Sequence, residues 1–370
     1  MKAPMPPAAD CRAIPEPIER RRCIGGQVRD LRLDWLDRLA FGPSRREDAQ
    51  IQMWLGIFPV SLRQLGPERG VLLQGQVEAI RANLNGSYQD LLAAMVADPA
   101  LQISLNGPIN HRGKPNENLA RELLELFSLG EGHFSEQDVI EAARALTGYR
   151  LDEFRTLVLD PRRHDPGPKT ILGRTAAFDG PQLVAWLCQQ PATALNITRR
   201  LWLEIVGPLP SSARLEGIAS AWRGRKLALP WLITTLETSP EAVAASRSAT
   251  RLASPIAVMS RSLALLGSRH PDSLHIALQH LPRMGQAPFE PPSVKGWPVN
   301  EGWLNLRWLQ ARRRGLQALL SDSEVWASNQ LPDRLDPDLT AIAPLTLRLP
   351  AEASRENLAR LWSDPVWQLR

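Results

Sequence analysis

Apolar residues recur every three to four positions along most of this chain, and proline or glycine closes nearly every such stretch. In LRLDWLDRLAF, Leu31, Trp35 and Leu39 fall four apart before Gly42-Pro43-Ser44 ends the pattern. AQIQMWLGIF stops at Pro59, and GVLLQGQVEAIRANL and SYQDLLAAMVADP follow, the last with Ser87 as its predicted N-cap. Pro115 and Asn116 open a further helix whose apolar stripe is Leu119, Leu123, Leu126 and Phe127, with Gly130 at a left-handed C-terminal position. Ser135 with Asp138 predicts a capping box, and Phe134 with Val139 a hydrophobic staple, for the next.

The pattern changes after Tyr149. FRTLVLD alternates as a short strand does, and RRHDPGPKTILGR is a loop dense in Gly, Pro and charge. Helical periodicity returns in GPQLVAWLCQQ, TALNITRRLWLEIV, LPWLITTLETS, SPIAVMSRSLALLG and PDSLHIALQHL. A long loop, RMGQAPFEPPSVKGWPVNEGW, precedes a last long helix over Leu304 to Leu320. The predicted fold is therefore mainly α: a multi-helix single domain over residues 30–320, with a small β hairpin or lobe near 154–173. Residues 1–29 read as a flexible N-terminal segment, and 321–370 as a Pro-rich C-terminal segment with one short helix, ENLARLWSD.

Composition adds little to this picture. Among 370 residues, 44% are hydrophobic and 22% charged, as in an ordinary globular protein, and 32 prolines fit many defined helix ends. The net charge of +5 makes an anionic ligand electrostatically welcome. Nucleic acid is not an expected partner, because Arg20 to Arg22 and Arg312 to Arg314 lack interleaved aromatics or a recognised motif. Cys11, Cys23 and Cys188 match no metal-ligand spacing and cannot all pair, a usage that suits a reducing compartment. The first 23 residues hold no apolar signal segment, and no run approaches 18 apolar residues. The expectation is a cytoplasmic protein without a transmembrane segment.

Three stretches concentrate polar side chains. In the helix after Pro115, Asn118, Glu122 and Glu125 form one stripe at 100° per residue, with Glu117 and Arg121 beside it. Glu117 and Arg121 have the favoured order for an i,i+4 ion pair, so a solvated polar face is the plain reading. The alternative is an anion site at the helix start, with Glu122 as a base. The loop RRHDPGPKTILG offers His164, Asp165 and Lys169: a proton-transfer group, its orienting carboxylate and an anion holder. It lacks the spacing of a phosphate loop, and an ordinary capped turn is the safer reading of the string. In EPPSVKGWPVNEGW, Lys295, Trp297 and Trp303 sit in a proline-stiffened loop, where tryptophan either plugs a core or lines a cleft. His270, His275 and His280 are five apart and spread around a helix, so no metal site is expected there.

Four strings, NHRGKPNENLARELLELFSLG (110–130), SEQDVIEAARALTGY (135–149), RRHDPGPKTILG (162–173) and MGQAPFEPPSVKGWP (284–298), resemble together the bacterial family catalogued as domain of unknown function 1800. The likeness runs from about Leu31 to Leu320. It implies a mostly helical domain, members that are often exported, and a sulfatase-like companion protein encoded alongside. Members commonly carry Trp-His-x-His-Phe before the amide-rich helix. Here the matching segment is Trp54-Leu55-Gly56-Ile57-Phe58, so both histidines are apolar and no cofactor or metal is expected.

The expected site joins these stretches in one cleft. Asn110, Asn116, Glu117, Asn118, Arg121 and Glu122 would form one wall, His164, Asp165 and Lys169 another, and Lys295 with Trp297 a lid. The favoured expectation is a non-catalytic binding or assembly protein on an enzyme-like scaffold. The alternative is a hydrolase-like or modifying enzyme for an anionic or polymeric substrate, with Glu122 or the His164–Asp165 pair as general base. A competing account of the same residues is an internal hydrogen-bond network that locks helices to loops.

Overall fold

The chain was analysed as a computed structural model describing residues 11–152, 156–248, 251–340 and 342–369. Its helices form two groups. The first comprises α1 (Pro17–Phe41), α2 (Arg45–Ile57), α3 (Leu62–Leu65), α4 (Leu72–Asn83), α5 (Tyr88–Val96), α6 (Pro99–Ser104), α7 (Asn118–Glu125) and α8 (Glu136–Ala145). Two hairpins follow, β1 (Tyr149–Leu151) with β2 (Leu157–Leu159), and β3 (Lys169–Ile171) with β4 (Arg174–Ala176), both antiparallel. The group ends with α9 (Gly180–Gln189), α10 (Pro191–Ile205), α11 (Ser212–Arg223), α12 (Leu229–Glu237) and α13 (Pro240–Ser248). The second group is α14 (Pro255–Leu266), α15 (Pro271–His280), α16 (Leu306–Ser321), α17 (Ser323–Ala327) and α18 (Arg355–Ser363), with β5 (Arg334–Leu335) paired to β6 (Ala351–Glu352). The molecule is a mainly α single domain with small β elements, as the periodicity predicts.

Local chemistry accounts for the helix starts. Proline occupies the first turn of α1, α6, α9, α10, α12, α14 and α15, where its missing N–H has no intrahelical partner to lose. Ser135 and Asp138 close the predicted capping box on α8, and Ser87 with Asp90 closes another on α5.

Two hydrophobic cores lie side by side. The first is centred on a cluster of rings from Trp54, Phe58, Tyr88, Phe127 and Trp222, with neighbouring centroids 5.1 to 6.5 Å apart. The Tyr88 hydroxyl donates to the Phe127 carbonyl at 2.6 Å and the Trp222 indole N–H to the Ala228 carbonyl at 2.9 Å. The second gathers α14 to α18 around Met259, Leu263, Leu316, Leu319, Trp362 and Trp367. Helix α1 serves both: Leu31 and Trp35 enter the first core, Leu36 and Ala40 the second. Each fully buried leucine or tryptophan stabilises its core by about 1.5–3 kcal/mol.

Three expectations change at this level. The chain is helical from Pro17, so α1 runs through the boundary expected at residue 30, and a Cys11–Cys23 disulfide ties its start. Cys188 is the buried free thiol. Disulfides persist in oxidising compartments, so cysteine usage no longer argues for a reducing one. The segment 321–370 is not set apart either, because Leu335, Leu358, Trp362 and Trp367 complete the second core. The small β hairpin or lobe expected near 154–173 is present as two hairpins, with 153–155 lying outside the described residues. Among the described residues, no helix is long and apolar enough to cross a membrane.

Candidate functional site

The amide-rich start of α7 is held by amide-to-backbone bonds. Asn116 Oδ1 accepts the Asn118 N–H at 3.1 Å, forming a turn that delays the helix to Asn118. Asn110 is buried, and it joins three segments. Its Nδ2 donates to the Ala143 carbonyl of α8 (2.9 Å), its Oδ1 accepts the Asn116 N–H (3.0 Å), and its carbonyl accepts the Gly148 N–H (3.0 Å). At Gly148 φ is +91°, and an added Cβ would stand 2.7 Å from the His164 nitrogen, so only glycine lets the two backbones pass.

The His164 loop closes on itself and on α8. His164 Nδ1 lies 2.9 Å from the Thr147 carbonyl. Arg144 Nε donates to Asp165 at 2.8 Å and Arg144 Nη1 to Glu141 at 2.8 Å. The Arg144 bond, with smaller help from the Gly167 N–H, holds the Asp165 carboxyl below its usual range. Lys169 is almost wholly buried, and its ammonium donates to the carbonyls of Asp165 (2.5 Å) and Gly167 (2.9 Å). Burial pushes its pKa down, opposed by Asp165. This lysine therefore fastens its own loop.

Arg121 points elsewhere. It makes paired bonds to Glu136 at the start of α8 (2.9 and 2.7 Å) and one to Glu117 (3.1 Å). These bonds raise its pKa and lower that of Glu136. Arg121 thus bridges the two helix starts, and no bond links it to His164.

Glu122 differs from its neighbours. It is half-buried, and its carboxylate has no hydrogen-bond partner among the described residues. Burial and the adjacent Glu125 raise its pKa, while Lys295 and Arg121 pull it back. Lys295 reaches this face from the long loop, 3.5 Å from both Glu125 and Glu131.

The same loop turn packs on α2. A Cβ at Gly296 (φ +85°) would stand 2.1 Å from the Gly56 carbonyl, and Trp297 lies against Gly56 from the other side. The resemblance segment 54–58, the α7 face and the turn 295–297 therefore converge, with Leu55 and Ile57 buried in the first core. Trp297 borders a cleft of about 480 Å³ between the two cores.

The expected residues thus fall into three clusters: a network of Asn110, Asn116, Asn118, His164, Asp165 and Lys169, an ion-pair bridge of Glu117 and Arg121, and a junction of Glu122 with Lys295. Trp297 stands behind that junction. Sequence reasoning passed over Arg144, Glu141 and Gly296, the residues that decide this partition. The i,i+3 spacing of Glu141 and Arg144 was the available signal.

With this geometry in hand, the chain was compared with known proteins. The family model described as "Protein of unknown function (DUF1800)" matches residues 8–366. No curated protein and no solved structure matches the chain.

Proposed function

The chain belongs to the DUF1800 family, and from that premise we propose that it is a non-catalytic binding or assembly protein that keeps the family scaffold. One observation carries this reading. Four of the polar side chains singled out in the family-like strings are satisfied by neighbouring side chains and by the backbone: Asn110 by Ala143 and Asn116, Asp165 by Arg144, Lys169 by two carbonyls, Arg121 by Glu136. Groups so occupied rigidify a scaffold and have little capacity left for a substrate. Leu55 and Ile57, both buried, add no donor or acceptor where the resemblance expects histidines. The sulfatase-like companion implied by the resemblance is the first partner to test.

A second reading rests on Glu122. A half-buried carboxylate with a raised pKa beside an exposed lysine is a suitable general base for a hydrolase-like enzyme. The two readings separate in one experiment. Wild type and Glu122→Gln are assayed against aryl esters, phosphates, sulfates and glycosides, and both are expressed with a tag in the native cell. Binding or assembly predicts no turnover in either chain and the same stoichiometric partner with both. Turnover that Glu122→Gln abolishes would establish the hydrolytic reading instead.

A further inference from the structure

The cleft between the two cores is built differently from the clusters above. Its floor is α2 with Gln52, Met53 and Gly56, its far wall is α14 with Ile256, Ala257 and Ser260, and the loop 297–303 closes its end. Polar atoms around it are left over. The Ser260 hydroxyl, in a residue only 7% exposed, has no hydrogen-bond partner among the described residues, and neither do Trp297 Nε1 and Asn300 Oδ1. Buried polar atoms in a folded protein are ordinarily paired, so three unpaired ones around one cavity mark a place made for polar company.

Charge points the same way. Arg261 lines the cleft and is part-buried. Its guanidinium donates to the carbonyls of Leu369 and Trp367 and lies over the Trp367 ring, and it pairs with no carboxylate among the described residues. Arg312, fully buried, bonds the Ala253 carbonyl and faces Trp303, which lines the cleft; its Nε and Nη2 are unpaired. Arg45, exposed at the mouth, likewise pairs with no carboxylate among the described residues. Of the lining residues only Glu204 is acidic, and Arg46 is engaged by Glu237. A buried cation without a counter-ion is costly, and a bound anion removes that cost.

We propose that this cleft binds a small anionic amphiphile, a carboxylate on an apolar body. The carboxylate sits toward Arg45 and within the field of Arg261. The body lies on Met53, Ile256 and Ala257. A volume of about 480 Å³ suits such a ligand. The inference deepens the binding-protein reading and fails separately from it: turnover in the substrate panel would strike that reading, whereas absent carboxylate binding strikes only the cleft.

The test uses the full chain and three probes, decanoate, decan-1-ol and acetate, followed by calorimetry and by tryptophan fluorescence. Decanoate should bind one per chain, at least about tenfold tighter than either of the others, since a charge-assisted contact and apolar burial each contribute that much. Arg45→Gln should weaken decanoate about tenfold without changing decan-1-ol. Ala257→Phe, which fills the cavity, should abolish both. Circular dichroism checks that each variant is folded, and either variant alone suffices as a control. Equal binding of decanoate and decan-1-ol, or decanoate binding unchanged in a folded variant, would overturn the proposal.

Discussion

The two cores treat buried charge in opposite ways. In the first, Asp48 is buried against Arg81 at 2.8 Å and Arg38 at 3.5 Å, Asp165 against Arg144, and the Lys169 ammonium between two carbonyls. In the second, the buried carboxylate Asp364 is filled by Thr346 and the Val366 N–H, and among the described residues Arg261 and Arg312 meet carbonyls and ring faces only. A self-satisfied network is a scaffold. Charge left uncompensated beside a cavity is where an outside partner gains most.

The largest test of this contrast is a pair of substitutions. Asp48→Ala should cost about 3 kcal/mol in urea unfolding, because it removes the buried carboxylate that Arg81 and Arg38 share. Arg312→Met should leave stability within about 1 kcal/mol of wild type or raise it, because it strands no charge, only the Ala253 carbonyl. Equal losses for both would erase the distinction between the cores.

Gly148→Ala should come next, at about 3 kcal/mol, from left-handed backbone and the collision with His164 together. A loss below about 1 kcal/mol would mean that the Asn110 network is not the lock described above.

Asp98 is the first core's exception: a buried helix cap with no cation, its carboxyl pushed up by burial to about 7. Its unfolded value is near 3.9. Between those values the folded chain holds a proton that the unfolded chain releases, so stability falls as pH rises from roughly 4 to 7. Asp98→Asn keeps an acceptor for the Leu101 N–H. It should flatten that slope and stabilise the protein at pH 8 by about 2 kcal/mol, measured by urea unfolding across pH. An unaltered slope would place the titration elsewhere.

The smallest effect belongs to Arg121. Its exposed bridge to Glu117 and Glu136 should be worth under about 1 kcal/mol, and Arg121→Ala should add to His164→Ala within about 0.5 kcal/mol in a double-mutant cycle. A larger coupling would restore the single shared pocket that the sequence suggested.

Much of the fold was legible because its signals are local. Ser135 and Asp138, or Ser87 and Asp90, sit three residues apart and cap their helices wherever the chain runs. The ion pair of Glu117 and Arg121 was readable from spacing alone, as was the apolar stripe of α7. For the candidate site, the sequence named polar residues but not their arrangement. Glu122 and Lys295 were both singled out, and they do share one face. His164 was singled out beside them, yet its loop is turned toward α8 by Arg144.

By itself the sequence determined the helical fold class, the capped helix starts at Ser87 and Ser135, and the absence of donor side chains at Leu55 and Ile57. Tertiary structure alone decided that α1 spans two cores, that Cys11 meets Cys23, that the turn at Gly296 lands on Gly56, and that Arg312 is buried without a carboxylate among the described residues. The physical reason is range. A cap or an i,i+4 pair is closed by bonds within one turn of helix. The company a buried charge keeps is set by segments tens to hundreds of residues away, whose approach no local pattern encodes.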